Sequence, residues 1–220
     1  MFERVISLIG EEKFNKLKNT KVLIVGCGGV GGYALETLVR SGINNIDIID
    51  FDKIELSNLN RQIISNQNNV GLDKVDEAQK RALEINPNLI MNIYKLFLNE
   101  DNIMTILKNK YDYIIDACDS INTKLELIKN SNNYELISCM GTAKKIDPTQ
   151  LTITTLDKTN YDKLAKVLRK KVKDLHINKK IYVVSSTEKA MDCDILGSFM
   201  IVPATAGILC AKYVISKIIN

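Results

Sequence analysis

The chain has 220 residues, of which 45% are hydrophobic and 25% are charged, and a formal net charge of +4 at pH 7. This is the composition of an ordinary globular protein with one substantial core, and the modest charge permits an anionic partner without requiring one. No window approaches the roughly 18 uninterrupted apolar residues of a membrane helix, and the N-terminus lacks a signal-like segment. We therefore expect a cytoplasmic protein with no membrane partner.

The first third of the chain predicts a nucleotide-binding unit. Residues 22–25 form a continuous apolar run typical of a buried strand, and a glycine cluster, Gly26-x-Gly28-x-x-Gly31, separates it from a helical pattern that ends at Gly42. A second strand, 46–49, ends at Asp50 and Asp52, whose carboxylates can accept hydrogen bonds from ribose hydroxyls. The pattern indicates an adenine nucleotide, but a nicotinamide or flavin cofactor fits equally well, and a glycine-rich turn without a ligand is the structural alternative.

The later segments extend this unit. Further strands are predicted at 90–96, 111–115, 135–139, 149–155 and 181–185, and helices at 11–17, 74–85, 101–107, 121–130, 161–172 and 203–219. Residues 54–70 are polar and dense in asparagine, which predicts an ordered loop or a broken helix. Asp101 is expected near a helix N-cap, and Asp119 either caps the helix at 121 or faces the ligand crevice.

The alternation of strands and helices up to residue 139 predicts an α/β fold with a Rossmann-like, doubly wound, mostly parallel sheet and flanking helices. A C-terminal strand and helix extension follows. We expect one domain over 1–220, with an N-terminal arm and helix at 1–19 and a portion for substrate binding or dimerisation at 146–220.

Five cysteines are present, and no two have the C-x-x-C spacing of a structural zinc site. We expect Cys27 and Cys210 to be core residues. We leave the roles of three cysteines undecided, because strand ends in such sheets face the ligand crevice: Cys118, Cys139 and Cys193.

Five stretches, taken together, resemble the adenylating enzymes related to ubiquitin-activating enzyme: VGCGGVGGY, DFDKIELSNLNRQ, VGLDKVDEA, INPN and DACDS. The segment Asn58–Gln62, NLNRQ, is the most specific of them, because dehydrogenase fingerprints do not require it. Within that superfamily, GTAKKIDPTQLTITTLDKT and KLAKVLRKKVKD look like the tRNA threonylcarbamoyladenosine dehydratases. The resemblance implies an enzyme that uses ATP to adenylate the threonyl carboxylate of that tRNA nucleoside and to cyclise it with loss of AMP.

The resemblance also assigns residues to ATP. Arg61 and Lys74 would neutralise phosphate charge and act in catalysis, although Lys74 could instead be a solvated helix lysine. Asp50 would hold the ribose hydroxyls, and Asp52 could serve instead or could only turn the loop. The whole ATP-binding set comprises Gly28, Gly29, Gly31, Asp50, Asp52, Asn58, Arg61 and Lys74.

Other residues would hold the metal ion, a second subunit and the tRNA. Asp119 would bind Mg²⁺ near the α-phosphate. Arg4 matches an arginine that reaches a neighbouring subunit's site, which implies a homodimer; a disordered arm is the alternative. A basic helix would contact tRNA through Lys163, Lys166, Arg169 and Lys170. The alternative is that these residues form only a solvated helix face.

Three other functions compete. The first is activation of a ubiquitin-like sulfur carrier protein of the thiamine or molybdopterin type, against which stand the missing cysteine pairs and the segment IDPTQ. The second is a nicotinamide-dependent oxidoreductase, which leaves NLNRQ unexplained, and the third is a non-catalytic nucleotide-binding scaffold. A cysteine desulfurase or sulfur-carrier partner is also expected. The stretch 180–197 is shorter than in the dehydratases. How the protein binds the adenosine substrate, and what role Cys193 has, therefore do not follow from the resemblance.

Overall fold

A computed structural model describes residues 1–195 and 197–220 of the chain. The described helices are α1 (Glu3–Ile9), α2 (Glu11–Asn19), α3 (Gly31–Ser41), α4 (Lys74–Ile85), α5 (Ile103–Leu107), α6 (Ile121–Asn130), α7 (Lys163–Asp174) and α8 (Ile201–Ile219). The strands are β1 (Lys21–Val25), β2 (Asn45–Ile49), β3 (Ile93–Tyr94), β4 (Tyr113–Asp116), β5 (Glu135–Cys139), β6 (Leu151–Thr155) and β7 (Tyr182–Ser186).

Within the described residues these strands form one sheet in the order β3-β2-β1-β4-β5-β7-β6. All neighbours pair in parallel except β6, which lies antiparallel to β7 at the edge. Helices α3, α4 and α8 cover one apolar face, and α5, α6 and α7 cover the other. The predicted α/β fold with its doubly wound sheet is confirmed. The strand order reverses between β1 and β4, where such folds bind their ligands.

The turn between β1 and α3 depends on one close approach. A Cβ atom on Gly31 would overlap the carbonyl oxygen of Gly26, so only glycine fits at the first residue of α3. Gly207 in α8 likewise lies against the Val30 carbonyl oxygen. These contacts bring α3 close to both the sheet and the C-terminal helix.

Helix α8 is long and apolar enough to span a membrane by length and composition alone, but half of its most apolar window is buried in the protein. Its buried residues, among them Val202, Cys210 and Val214, belong to the same core cluster as the residues of α3. Core packing therefore accounts for its hydrophobicity.

Several predicted elements have different bounds. Residues 3–9 form the helix α1, so the prediction that they lie in an arm is wrong. Gly10 (φ 83°) separates α1 from α2, and the Phe2 ring packs on Phe14 with centroids 5.3 Å apart. The third strand is shorter than 90–96. There the backbone amide of Asn92 donates to the Asp47 carboxylate (3.1 Å), outside the strand ladder.

Two helix starts also differ. Asn102, not Asp101, lies at the N-cap of α5, because Asn99 and Asn102 exchange backbone-to-side-chain hydrogen bonds of 2.9 and 3.2 Å that hold residues 99–102 in a turn. Helix α7 begins at residue 163, since Tyr161 has a positive φ of 55° and the Asp162 carboxylate caps the helix. The polar segment 54–70 is an ordered loop with a short 3-10 turn at Leu56–Asn58, as predicted.

Candidate active site

A cavity of about 500 Å³ opens where the carboxyl ends of β1, β2, β4 and β5 meet. Residues from separate stretches of the chain line it, because parallel strands all end at this edge of the sheet. Of the residues expected to bind a nucleotide or metal, the cavity brings together Gly28, Gly29, Asp50, Asp52, Asn58, Arg61, Lys74 and Asp119. Arg4 and Gly31 do not line it.

The glycine-rich turn leaves space on the cavity side. A Cβ atom on Gly28 would have its nearest neighbour 3.7 Å away, at Gln62 Nε2, and one on Gly29 would have its nearest neighbours at 3.4 Å. Gly31 differs because its hydrogen faces the Gly26 carbonyl instead. Gly28 and Gly29 can therefore admit a phosphate at the N-terminus of α3, whereas Gly31 permits the turn itself.

Asp50 connects the two strand tips. Its Oδ2 accepts a hydrogen bond from the Cys27 amide (2.6 Å) and its Oδ1 accepts one from the Asp52 amide (2.9 Å). Each carboxylate oxygen retains a second lone pair, so Asp50 can also accept a ribose hydroxyl. The carboxylate both fixes the glycine-rich turn and faces the cavity.

The NLNRQ segment holds its arginine in place by local contacts. Arg61 Nη1 donates to the Ser57 carbonyl (2.7 Å) and to Asn60 Oδ1 (2.9 Å), and the Asn58 side chain is buried, with Oδ1 accepting from the Glu55 amide (3.2 Å). These bonds use one end of the guanidinium. The remaining donors of the fork are available for phosphate oxygens at the cavity.

Lys74 is the first residue of α4 and is buried, with 6% of its surface exposed. Its Nζ lies 2.7 Å from Asp52 Oδ2. A solvated helix lysine is therefore the wrong reading for this residue. Asp52, which is about half exposed, is the ion-pair partner of the buried ammonium group at the cavity.

Asp119 follows β4 and is exposed at the cavity. Its side chain has no hydrogen bond or ion pair with the described residues, and Ser120 caps α6 instead, with Oγ accepting from the Thr123 amide (3.3 Å). The structural alternative for Asp119, that it caps this helix, is wrong. The carboxylate is thus available to a cation, and Mg²⁺ commonly takes one or two protein carboxylates together with phosphate oxygens, so this donor set fits it.

A buried lysine lies directly below this loop, and sequence reasoning missed it. Lys124 and Asp116 are both fully buried, with Nζ 3.0 Å from Asp116 Oδ2 and 2.8 Å from the Cys139 carbonyl oxygen. Ser138 Oγ donates to the same Asp116 oxygen at 2.5 Å. Burial lowers the pKa of Lys124, but Asp116, together with Cys118 and Cys139, more than offsets this effect, so the pKa is raised overall. The network fixes the start of the loop that presents Asp119.

The model of the ThiF family matches residues 2–220. The chain belongs to the ThiF family. It is 39% identical over 189 residues to the tRNA threonylcarbamoyladenosine dehydratase of Bacillus subtilis, covering 85% of this chain and 74% of that one.

A solved structure of the Escherichia coli dehydratase TcdA in complex with ATP superposes on this ThiF-family chain with a TM-score of 0.95 and 34% identity, over 99% and 93% of the two chains. The adenylyltransferase and sulfurtransferase MOCS3 of Culex quinquefasciatus is 38% identical over 120 residues, but these cover only 54% of this chain and 27% of that protein. The similarity to the dehydratases therefore includes a part of the chain that does not match MOCS3.

In this ThiF-family chain the basic residues of α7 fall into two groups. Arg169 is half-buried, and its Nη1 donates to the Thr159 carbonyl (2.7 Å), so it braces the loop before its own helix. The other three predicted tRNA contacts are exposed on α7, with no hydrogen bond or ion pair to the described residues: Lys163, Lys166 and Lys170.

Arg4 lies elsewhere on the ThiF-family fold. It is exposed on α1, beside a shallow apolar cavity lined also by Leu8, Leu17 and Ile219. It is part of a helix and not of a disordered arm.

All five cysteines are free thiols. Cys27 and Cys210 are buried in the core, as predicted. Cys118 and Cys139 line the cavity, and Cys193 is exposed. Burial, reinforced by the Asp116 carboxylate, raises the pKa of Cys118 well above its ordinary value, which keeps this thiol protonated and poorly nucleophilic at neutral pH.

Proposed function

We propose that this ThiF-family protein is an ATP-dependent tRNA threonylcarbamoyladenosine dehydratase. The observation that carries the proposal is the superposition on the ATP complex of the E. coli dehydratase over nearly the whole of both chains. The cavity adds a physical reason, because a glycine-rich turn, two buried or half-buried cations and a carboxylate with no partner among the described residues face one space.

The reaction needs a carboxylate to become an electrophile. A free carboxylate is a poor one, because its leaving group would be oxide. Attack of a carboxylate oxygen on the α-phosphate of ATP forms an acyl adenylate and releases pyrophosphate, and AMP is then a good leaving group. Arg61 and Lys74 are the residues that neutralise the charge developing at the phosphates, and Gly28 and Gly29 let the backbone approach them.

Asp119 would hold Mg²⁺ together with phosphate oxygens. When bound, the ion supplies further neutralisation of phosphate charge. Ring closure then occurs within one bound nucleoside, since the ureido nitrogen attacks the activated carbonyl and displaces AMP. Proximity in a single molecule favours this step, so the protein has to position the nucleoside and exclude water.

The exposed lysines of α7 are the proposed tRNA contacts, since binding to RNA backbone is largely electrostatic. We place the protein in the cytoplasm with its tRNA substrate. A cysteine desulfurase or sulfur-carrier protein is an additional proposed partner, to be tested by co-purification.

The assembly we propose is a homodimer in which Arg4 reaches the partner's site. Arg4 is exposed on α1 and lies outside the active-site cavity of its own chain, which supports a role between subunits. An equal mixture of inactive Arg4→Ala and Arg61→Ala chains should regain activity, because every dimer that contains one chain of each variant has one site with both arginines. If the mixture stays as inactive as either variant alone, the role of Arg4 between subunits is wrong.

The proposed reaction is tested by its dependence on the tRNA modification. The purified protein, ATP and Mg²⁺ are mixed with tRNA that carries threonylcarbamoyladenosine, and AMP release is measured. The matched control is the same tRNA without the modification. AMP formed only with modified tRNA supports the dehydratase. AMP formation that instead requires a small carrier protein ending in Gly-Gly would favour activation of a sulfur carrier.

A further inference from the structure

A second buried ion pair lies beside the part of the cavity wall that follows β5. Lys145 and Asp162 are 3% and 7% exposed, and Lys145 Nζ lies 3.5 Å from Asp162 Oδ2. The same ammonium donates to the carbonyl oxygen of Gly141 at 2.9 Å. Gly141, Thr142 and Ala143 line the cavity, so one lysine joins the cavity wall to a residue at the start of α7.

Asp162 performs two tasks with its two oxygens. Oδ1 accepts from the Ala165 amide at 2.8 Å and caps α7, whereas Oδ2 is buried and has no hydrogen-bond partner among the described residues. A Cβ atom on Gly141 would lie 3.2 Å from Oδ2, so the cavity wall packs directly against the capping carboxylate. An isolated buried carboxylate oxygen is costly, which makes the nearby ammonium of Lys145 necessary.

Helix α7 joins this pair to both halves of the proposed reaction. Leu164, two residues after Asp162, lines the cavity, and the exposed lysines of α7 follow on the outer face. Ala165 and Leu168 are buried in the core, so the apolar face holds the middle of the helix without help from the ion pair. What the pair specifically fixes is the end of α7 nearest the cavity.

We propose that Lys145 and Asp162 are positioning residues for the tRNA substrate. They contact neither the nucleotide nor the RNA, and act by holding the cavity wall at Gly141 and the N-terminus of α7 in one fixed relation. A tRNA bound along the basic face then presents its modified adenosine at the correct distance from ATP. This inference rests on the proposed dehydratase function, and it deepens the account of the same site.

The test compares three full-length variants with the wild type. Asp162→Asn keeps an acceptor for the Ala165 amide and removes the charge, and Lys145→Met keeps most of the side-chain length. The double variant leaves no charge buried at this position. The control is Glu12→Gln with Lys16→Met, which removes an exposed pair of 2.8 Å on α2. For each protein the melting temperature and the KM values for modified tRNA and for ATP are measured.

We expect all three variants to raise the KM for tRNA about tenfold or more, with the KM for ATP within about twofold, because lost positioning affects one substrate. The double variant should melt closer to the wild type than either single variant does, since no uncompensated charge is left buried. Its tRNA defect should nevertheless persist.

Two results would overturn the inference. If the double variant regained both its melting temperature and its KM for tRNA, the pair would be only structural. If the two KM values rose equally, the pair would serve the ATP side instead. A wild-type protein that does not convert modified tRNA would refute the proposed function itself, and the inference would fail with it.

Discussion

Replacing Lys124 by Met should destabilise the protein more than any other single change of a lysine on α6. The substitution leaves the fully buried Asp116 carboxylate with Ser138 and Cys118 as donors but without a counter-charge. Removing one partner of a buried ion pair typically costs about 3–5 kcal/mol. For a chain of this size each kcal/mol lowers the melting temperature by roughly 2–4 °C, so we expect a decrease of about 6–20 °C.

The matched control lies on the same helix. Lys129 forms an exposed pair with Glu126 at 2.6 Å, so Lys129→Met should cost less than about 1 kcal/mol. Adding Asp116→Asn to Lys124→Met should recover part of the loss, because the uncompensated charge is then removed. Melting followed by calorimetry or circular dichroism measures all four proteins.

The pH dependence provides a second check. The pKa of Lys124 is raised in the folded protein, so its contribution is fully present below the unfolded pKa of about 10.4 and is lost as the pH rises through the folded value. The stability difference between wild type and Lys124→Met should therefore be constant from about pH 6 to 9 and narrow only above about pH 10.4. A variant that melts within about 2 °C of the wild type at neutral pH would refute the reasoning.

Three further predictions concern the turn, the thiols and the basic helix. Gly31→Ala should lose about 2 kcal/mol of stability by overlap with the Gly26 carbonyl, whereas Gly29→Ala should melt like the wild type and bind ATP more weakly in calorimetric titration. Iodoacetamide should modify the exposed Cys193 before Cys118, because burial raises the pKa of the Cys118 thiol. Peptide mass spectrometry measures both, and equal labelling of the two cysteines would contradict this. Reversing the charges of Lys163, Lys166 and Lys170 on α7 should weaken tRNA binding and reduce its dependence on salt concentration, while ATP binding stays intact. If the variant binds tRNA with unchanged affinity across salt concentrations, this face of α7 does not contact tRNA.

The sequence was sufficient for the elements that local patterns determine. The strand, glycine cluster and helix around Gly28 follow from hydrophobic periodicity, and a parallel sheet then places Asp50 and Asp119 at one edge. The segments NLNRQ and VGLDKVDEA identified Arg61 and Lys74 respectively, and both residues line the cavity.

What the sequence did not reveal depends on contacts between distant parts of the chain. Lys124 and Lys145 look like ordinary surface lysines, and their burial becomes evident only when Asp116 and Asp162 are placed beside them. A partial signal existed for Lys124, since it lies one turn before Ile128 on the apolar stripe of α6. Arg169 shows the reverse case, because a basic helix pattern cannot show that one guanidinium bonds to the preceding loop.

The most direct test of the central claim is mass spectrometry of the nucleosides from modified tRNA after incubation with the protein, ATP and Mg²⁺. We expect threonylcarbamoyladenosine to lose one molecule of water, and we expect this loss to require ATP and to be abolished in Arg61→Ala. An unchanged nucleoside, in the presence of protein that is folded and binds ATP, would contradict it.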